Sequence, residues 1–276
     1  MARVLVTGSA DGLGQMAARR LGELGHDVLL HARNQDRARD AARGAPGARG
    51  VLIGDLSSIA ETRALAEQAN AAGSFDAVIH NAAVGYRERR QETADGLEHV
   101  FAINVLAPYL LTALVPARRI VYLTSGMHRG GDADLSDLQW RRRRWSGAQA
   151  YADSKLLDVV LAFAIARRWP DARSNAVEPG WVATKMGGPG APDDLSLAPE
   201  TQVWLAVSDD PRAAETGELF YHQREQEPHP AARDVEVQEQ LLSACERLTG
   251  VALGAGPAGT QPGAAPRAET IPWTDR

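Results

Sequence analysis

A chain of 276 residues, 44% of them hydrophobic, is long enough to bury a substantial core as one large α/β domain or two smaller ones. Its net charge of −5 argues against nucleic acid as the main partner, and a single cysteine, Cys245, excludes an internal disulfide. No apolar run approaches the roughly 18 residues of a membrane span, and Val4–Val6 is too short for a secretory signal, so no membrane insertion and a reducing, cytoplasmic location are expected.

Short apolar runs alternate with helical patterns through the first half, the arrangement of a parallel sheet flanked by helices. Strands are expected at Arg3–Thr7, Asp27–His31, Gly50–Ile53, Ala77–His80, Arg119–Thr124 and Ser174–Val177, with Leu219–Tyr221 a candidate seventh. The helix after the first strand places Leu13, Met16, Ala17, Leu21 and Leu24 on one face and ends at Gly25. A long helix is expected over Ala94–Leu114 and another from about Ala150 to Trp169, stopped by Pro170. Gly187–Pro199 reads as a flexible loop, Val235–Leu248 as a helix packed on the sheet or on another subunit, and 254–276 as a disordered Gly/Ala/Pro-rich tail.

The first strand leads into Thr7-Gly8-Ser9-Ala10-Asp11-Gly12-Leu13-Gly14. A glycine-rich turn between strand and helix lets backbone N–H groups approach a pyrophosphate, and the helix N-terminus adds a favourable dipole. Gly8 permits the tight turn, Gly12 the close approach and Gly14 the packing of helix on strand; Ser9, Asp11 and Leu13 complete the candidate cofactor cradle. Ordinary strand-to-helix turns also carry glycines, so the motif alone does not assign a nucleotide. At the end of the second strand an acidic residue would bind the ribose 2′-hydroxyl of NAD, but His31-Ala32-Arg33-Asn34 stands there. Arg33 can pair with a 2′-phosphate through its planar fork, which favours NADP(H) over NAD(H); the alternative is that Arg33 only faces solvent. Asp55-Leu56, past the third strand, is a candidate for holding the adenine edge.

On a helix, Tyr151 and Lys155 share a face. The Lys155 ammonium is expected to favour the phenolate and bring the Tyr151 pKa towards working pH. Tyr151 can then give a proton to a carbonyl oxygen or take one from an alcohol. Ser125, at the end of the fifth strand, can hold the substrate oxygen. A Tyr-x-x-x-Lys pair is frequent by chance, and a lone serine more so.

The order of the set makes it specific. Thr7–Gly14, Asp55, Asn81-Ala82-Ala83, Asn104, Ser125, Tyr151, Lys155 and Pro179-Gly180 resemble, in sequence and spacing, the short-chain dehydrogenase/reductase family. The resemblance implies a single-domain α/β doubly wound Rossmann fold over 1–253, with a mostly or wholly parallel sheet of about seven strands. Thr93–Glu98, Phe101–Val105 and the long segment between Ser125 and Tyr151 resemble the retinol-dehydrogenase and protochlorophyllide-reductase-like branch. The family resemblance further implies that Lys155 binds nicotinamide-ribose hydroxyls and that Asn104 anchors a water linking Lys155 to solvent. It also implies cofactor contacts from Asn81, Ala82, Ala83, Pro179 and Gly180, and a homo-oligomer built through long helices. After the sixth strand, Thr184 can contact the nicotinamide amide or pyrophosphate and Val182 backbone groups the carboxamide; the alternative is a plain proline turn. One departure is Ala83, where the family usually has glycine; its methyl is tolerated if φ is negative.

Met127–Gln149 carries Trp140, Arg141, Arg142, Arg143, Arg144 and Trp145, either an anion or aromatic platform or a solvated surface turn. Trp181 and Met186, with the Gly187–Pro199 loop, are candidates for closing an apolar pocket over the nicotinamide. His128, His222 and His229 lack metal-ligand spacing, so no metal is expected, and Cys245 reads as a packed residue. The expectation is an NADP(H)-dependent oxidoreductase that interconverts a ketone or aldehyde and an alcohol on a medium-sized, largely apolar small molecule. A nucleotide-sensing protein without turnover and a carbon–carbon double-bond reductase on the same scaffold are the competing readings.

Overall fold

Aliphatic runs of four to seven residues form the core strands, and the computed structural model describes residues 1–257. The strands are β1 (Arg3–Val6), β2 (Asp27–Ala32), β3 (Gly50–Ile53), β4 (Phe75–His80), β5 (Ala117–Leu123), β6 (Arg173–Glu178), β7 (Leu219–Tyr221) and β8 (Arg224–Gln226). They make one sheet in the order β3-β2-β1-β4-β5-β6-β7-β8. Strands β1 to β7 pair in parallel and β8 returns antiparallel to β7. The eighth strand adds to the expected seven. Its turn, His222-Gln223, takes positive φ at both residues without a glycine to signal it.

Both faces of the sheet are covered, and the alternation along each strand decides which side chain goes where. Val4, Val6, Ala77, Ile79, Val121 and Leu123 face a layer that includes Ala17, Leu21, Ala41 and Val203. Those residues lie on α1 (Gly12–Glu23), α2 (Gln35–Gly44) and α7 (Glu200–Val207). Leu5, Val78, Ile120 and Tyr122 face the other layer, which includes Leu65, Leu111, Leu156, Val160 and Leu241. That layer is α3 (Ile59–Ala71), α5 (Ala107–Leu114), α6 (Gly147–Arg168) and α8 (Val235–Thr249). On α1 the buried residues are Gly14, Ala17, Ala18 and Leu21, whereas Leu24, expected on the same face, is an exposed C-cap.

The expected helix over Ala94–Leu114 starts later and is not uniform. Glu98 caps it by accepting the N–H groups of Val100 and Phe101 at 2.9 and 2.8 Å. A short α4 (His99–Phe101) then widens into a π-helical turn, Ala102–Leu106, before α5. Pro108 explains the widening: it has no N–H to give the Asn104 carbonyl four residues back. Helix α6 begins at its cap Ser146 and ends before Pro170; residues 150–165 are all buried. Helix α8 packs on α5 and α6, with Cys245 buried. At the point where the tail was expected to begin, the Gly254 carbonyl accepts the Trp169 indole N–H at 2.8 Å; residues 258–276 lie outside the described residues. Among the described residues no helix is long and apolar enough to cross a membrane.

Strand order reverses between β1 and β4, which opens a crevice at the carboxyl ends of the strands.

Candidate active site

The glycine turn leaves β1 on one side of this crevice. Gly8 has φ +66°, and a Cβ there would stand 2.8 Å from the Ala82 Cα. A Cβ at Gly14 would collide with Asn81 Nδ2 and the Gly8 carbonyl, so Gly14 packs α1 against the turn and Asn81 rather than against a strand. Asn81 Nδ2 donates to the carbonyls of Thr7 and Gly8 at 2.9 and 3.2 Å, and Thr7 Oγ1 accepts the N–H groups of Asn81 and Ala82 at 2.9 and 3.0 Å. Ala83 is not among the non-glycine residues with positive φ, so its methyl is accommodated without backbone strain.

Ser9 is a correction. Its side chain was expected in the cofactor cradle but is fully buried. Its hydroxyl donates to the Val6 carbonyl and accepts the His31 N–H, and its own N–H goes to the His31 carbonyl at 3.0 Å. The Gly8 N–H is also used internally, by His31 Nδ1 at 3.0 Å, while His31 Nε2 meets the Gly54 carbonyl at 2.9 Å. His31 therefore carries its proton on Nε2 and stitches the turn to the end of β3; burial holds its pKa below the ordinary value. The sequence reading treated His31 only as the end of a strand.

The first turn of α1 has the N–H groups of Gly12, Leu13 and Gly14, which have no partner within the helix. Gly12 has φ +54° and open space around it. Asp11, the N-cap, makes no side-chain capping bond, whereas Asn34 and Ser58 cap α2 and α3. The Asp11 carboxylate is instead held by Arg37 and Lys185, each at 2.7 Å. Against the cost of partial burial, those two cations hold its carboxyl below the usual range. An uncapped helix end over open space fits a pyrophosphate. Arg33 is exposed at the end of β2. Asp55 is half-buried and accepts the Ser57 N–H at 2.9 Å through one carboxylate oxygen, and the Leu56 side chain is a core residue beside Leu97 and Leu106.

Across the crevice, β5 and α6 bring the sequence-predicted catalytic set together. Ser125 follows β5, and its hydroxyl accepts the Met127 N–H at 3.3 Å and acts on the Tyr151 phenol to favour its ionised form. Thr124 ties the two elements, its hydroxyl donating to the Lys155 carbonyl at 2.6 Å. The Lys155 ammonium lies 5.7 Å from the Tyr151 ring centroid and donates to the Leu123 carbonyl at 2.8 Å and to Asp158 Oδ2 at 2.7 Å. The expected lowering of the Tyr151 pKa is not the net result. Burial outweighs the attraction of Lys155 and the influence of Ser125, and the phenol sits above its ordinary value. Burial works against the Lys155 charge, but Asp158 and Tyr151 hold it above its ordinary value.

Asn104 lies in the π-helical turn. Its Oδ1 accepts the Val84 N–H at 2.9 Å, and its Nδ2 donates to the Val84 carbonyl at 3.1 Å and to Ser154 Oγ at 3.0 Å. The side chain thus joins the loop after β4 to α6.

The outer wall comes from two loops. A Cβ at Gly85 would stand 2.9 Å from Met186 Cγ, so Met186 lies against the chain next to Tyr86. Tyr86 meets Tyr151 edge-on, with ring centroids 6.1 Å apart; nothing in the sequence reading had singled it out. Trp181 is 57% exposed and donates its indole N–H to the Gly187 carbonyl at 3.0 Å. Gly180 has φ +88°, and Asp193 accepts the Trp181 N–H at 2.6 Å beside the Val182–Asp193 bridge, folding the loop back on Pro179–Thr184. Thr184 Oγ1 accepts the Gly187 N–H at 3.2 Å.

In the Met127–Gln149 segment Arg141, Arg142 and Arg144 are exposed to solvent, as a surface turn would have them, while their neighbours pin the segment to the protein. Trp140 is buried, and the Arg143 guanidinium stacks 3.8 Å over its ring while pairing with Asp153 of α6 at 2.9 Å. Asp137 accepts the backbone N–H groups of Arg141, Arg142 and Arg143. Arg90 donates to the Gln139 and Trp140 carbonyls, so the segment braces the chain just past Tyr86. Among the described residues no three His, Cys, Asp or Glu side chains gather as a metal site.

Residues 2–194 match the family described as short chain dehydrogenase. An uncharacterized oxidoreductase of Emericella nidulans is 45% identical over 93% of this chain and 100% of its own length. A Streptomyces sp. protein named, provisionally, as a daunorubicin C-13 ketoreductase is 32% identical over 74% of this chain and 78% of its own. Retinol dehydrogenase 13 of Homo sapiens is 30% identical over 90% and 84%. A solved structure of an uncharacterized protein from Mycobacterium paratuberculosis superposes with a TM-score of 0.79 at 25% identity, covering 92% of this chain and 95% of that one.

Proposed function

We propose, for a chain that belongs to the short-chain dehydrogenase/reductase family and is an oxidoreductase, that it uses NADP(H) to interconvert a ketone or aldehyde and an alcohol. The observation that carries this reading is the Lys155 ammonium 5.7 Å from the Tyr151 ring, on a helix tied to the end of β5, next to Ser125, by the Thr124–Lys155 bond. A bound nicotinamide cofactor supplies or accepts the hydride. The residues of the chain do the rest. Ser125 holds the substrate oxygen and stabilises the charge that develops there. Tyr151 donates its phenolic proton to that oxygen in reduction and recovers it in oxidation. Lys155 binds ribose hydroxyls and stabilises the phenolate left after proton donation. Asn104 fixes the loop after β4 against α6.

The first turn of α1 receives the pyrophosphate, with Asn81 and Ala82 holding the turn. Arg33, exposed where an acidic residue would select NAD, favours a 2′-phosphate. Tyr86, Trp181 and Met186 make an aromatic and thioether wall, which suits a medium-sized, largely apolar substrate. The names of two relatives, a ketoreductase and a retinol dehydrogenase, support carbonyl–alcohol chemistry.

The test is consumption of NADPH and NADH with aromatic, polycyclic and aliphatic carbonyls, the product being identified. The expected result is an alcohol, formed about tenfold faster or more with NADPH at limiting cofactor. A saturated ketone from an enone substrate, or a preference for NADH, would contradict the reading.

A further inference from the structure

Tyr151, Lys155 and Asp158 stand at i, i+4 and i+7 on α6, a single face turned towards β5. Asp158 has no part in the mechanism above, yet it is the group on which Lys155 rests. Its carboxylate accepts from Lys155 at 2.7 Å, and the two side chains are 3% and 4% exposed. The Leu123 carbonyl takes a second N–H of Lys155 at 2.8 Å. An ammonium has three N–H groups, so one is left for the crevice.

Among the described residues, the groups around Asp158 are otherwise uncharged. Lys155 and Tyr151 face it from its own helix. From β5 it feels Tyr122, whose hydroxyl pairs with Thr112 at 2.6 Å. Beyond Thr112 stands His80 of β4, bonded to the same hydroxyl at 2.9 Å and held neutral by burial. Cys245 of α8 acts on Tyr122 from the far side and is itself a buried, neutral thiol. Lys155 is therefore the one cation that compensates Asp158 among these groups. Burial raises the Asp158 carboxyl to about 6 even so, which leaves it ionised at neutral pH.

Two consequences follow from elementary electrostatics. An isolated lysine at this depth would favour its neutral form; the carboxylate keeps it an ammonium. That ammonium favours the Tyr151 phenolate more strongly than the carboxylate behind it opposes it.

Building on the carbonyl–alcohol reading, we propose that Asp158 is a positioning residue. It holds Lys155 as an ammonium beside the Tyr151 ring, with one N–H left for the crevice. Through Lys155 it stabilises the phenolate that Tyr151 becomes when it gives its proton to a carbonyl oxygen.

The test compares the full-length protein with Asp158→Asn and Asp158→Glu. The first readout needs neither cofactor nor substrate: the ultraviolet titration of the Tyr151 phenolate, taken as the difference between each protein and its Tyr151→Phe counterpart. In D158N, where Lys155 loses the carboxylate that keeps it charged, the titration should move to higher pH by about one unit. In D158E, which keeps the charge, it should stay within a few tenths of a unit. The second readout is the pH profile of alcohol oxidation with NADP. Its rising limb should move up with the phenolate in D158N, giving about tenfold slower oxidation below the wild-type midpoint, with substrate KM little changed. A Tyr151 titration that is unmoved or lowered in folded D158N would overturn the proposal. If D158N does not fold, a D158E titration displaced by more than a unit would overturn it, and one that stays in place would support it. A phenolate that moves as expected in a protein that turns over no carbonyl would sustain the role of Asp158 while sinking the proposed function.

Discussion

At the glycine turn, the charged groups stand at the rim and the interior is stitched by neutral bonds. Asp11, Arg33, Arg37 and Lys185 are all at least partly exposed, while Thr7, Ser9, His31 and Asn81 hold the backbone beneath them. At the end of β5 the arrangement is inverted: Lys155 and Asp158 are a buried ion pair, and the neutral Ser125 and Tyr151 are the groups that meet the crevice. The difference teaches what each end can tolerate. Rim charges are screened and replaceable, whereas a buried charge left unpaired costs several kcal/mol.

The sharpest way to break that comparison is to remove one lysine from each pair. Lys155→Met leaves Asp158 buried without a cation and should cost about 3–5 kcal/mol of stability in urea unfolding. Lys185→Ala, at the rim, should cost about 1 kcal/mol or less. Equal losses would show that the two ends do not differ in this way. The interior of the sheet gives a pH test. Burial holds His80 at about 3, below its ordinary value. Its contribution to stability is complete above the unfolded pKa of about 6.5 and falls away as pH drops towards the folded value, by about 2 kcal/mol at pH 5. Unfolding measured from pH 7.5 to about 4.5 should show this slope, and His80→Gln should flatten it.

Two glycines of α1 sharpen the picture at the turn. Gly14→Ala, which drives a methyl into Asn81 and the Gly8 carbonyl, should cost about 1–3 kcal/mol and weaken cofactor binding. Gly22→Ala meets nothing within 4 Å and should be neutral or stabilise by up to about 1 kcal/mol. Arg33→Ala carries the smallest effect, a fall of about tenfold in the ratio of NADPH to NADH affinity, with stability unchanged. An unchanged ratio would place the selection elsewhere, with Arg37 the nearest candidate.

Much of the fold is legible because parallel strands buried on both faces read as aliphatic runs, as in Val4-Leu5-Val6 and Ala77-Val78-Ile79-His80. The eighth strand is hidden by a His-Gln turn that lacks the usual glycine or asparagine. The π-helical turn left a signal, Pro108 four residues after Asn104, that helical periodicity alone overlooks. At the site, the order of the motifs brought Ser125, Tyr151 and Lys155 together. Asp158 was available at the next turn of the same face, but a carboxylate at that spacing reads equally as a solvated residue until its burial is known. The direction of the Tyr151 shift was not legible at all, because it is set by how much water the fold removes. Ser9 and His31 turn inward for a similar reason: each finds its partner across a strand pair that local sequence does not specify.

The measurement that tests the central claim most directly is carbonyl-dependent NADPH oxidation by the wild-type protein and by Tyr151→Phe, with NADPH binding followed by fluorescence in both. The account predicts that the variant binds NADPH with an unchanged dissociation constant and loses turnover by roughly 10²- to 10⁴-fold. A variant that binds the cofactor normally and still reduces the carbonyl at the wild-type rate would contradict it.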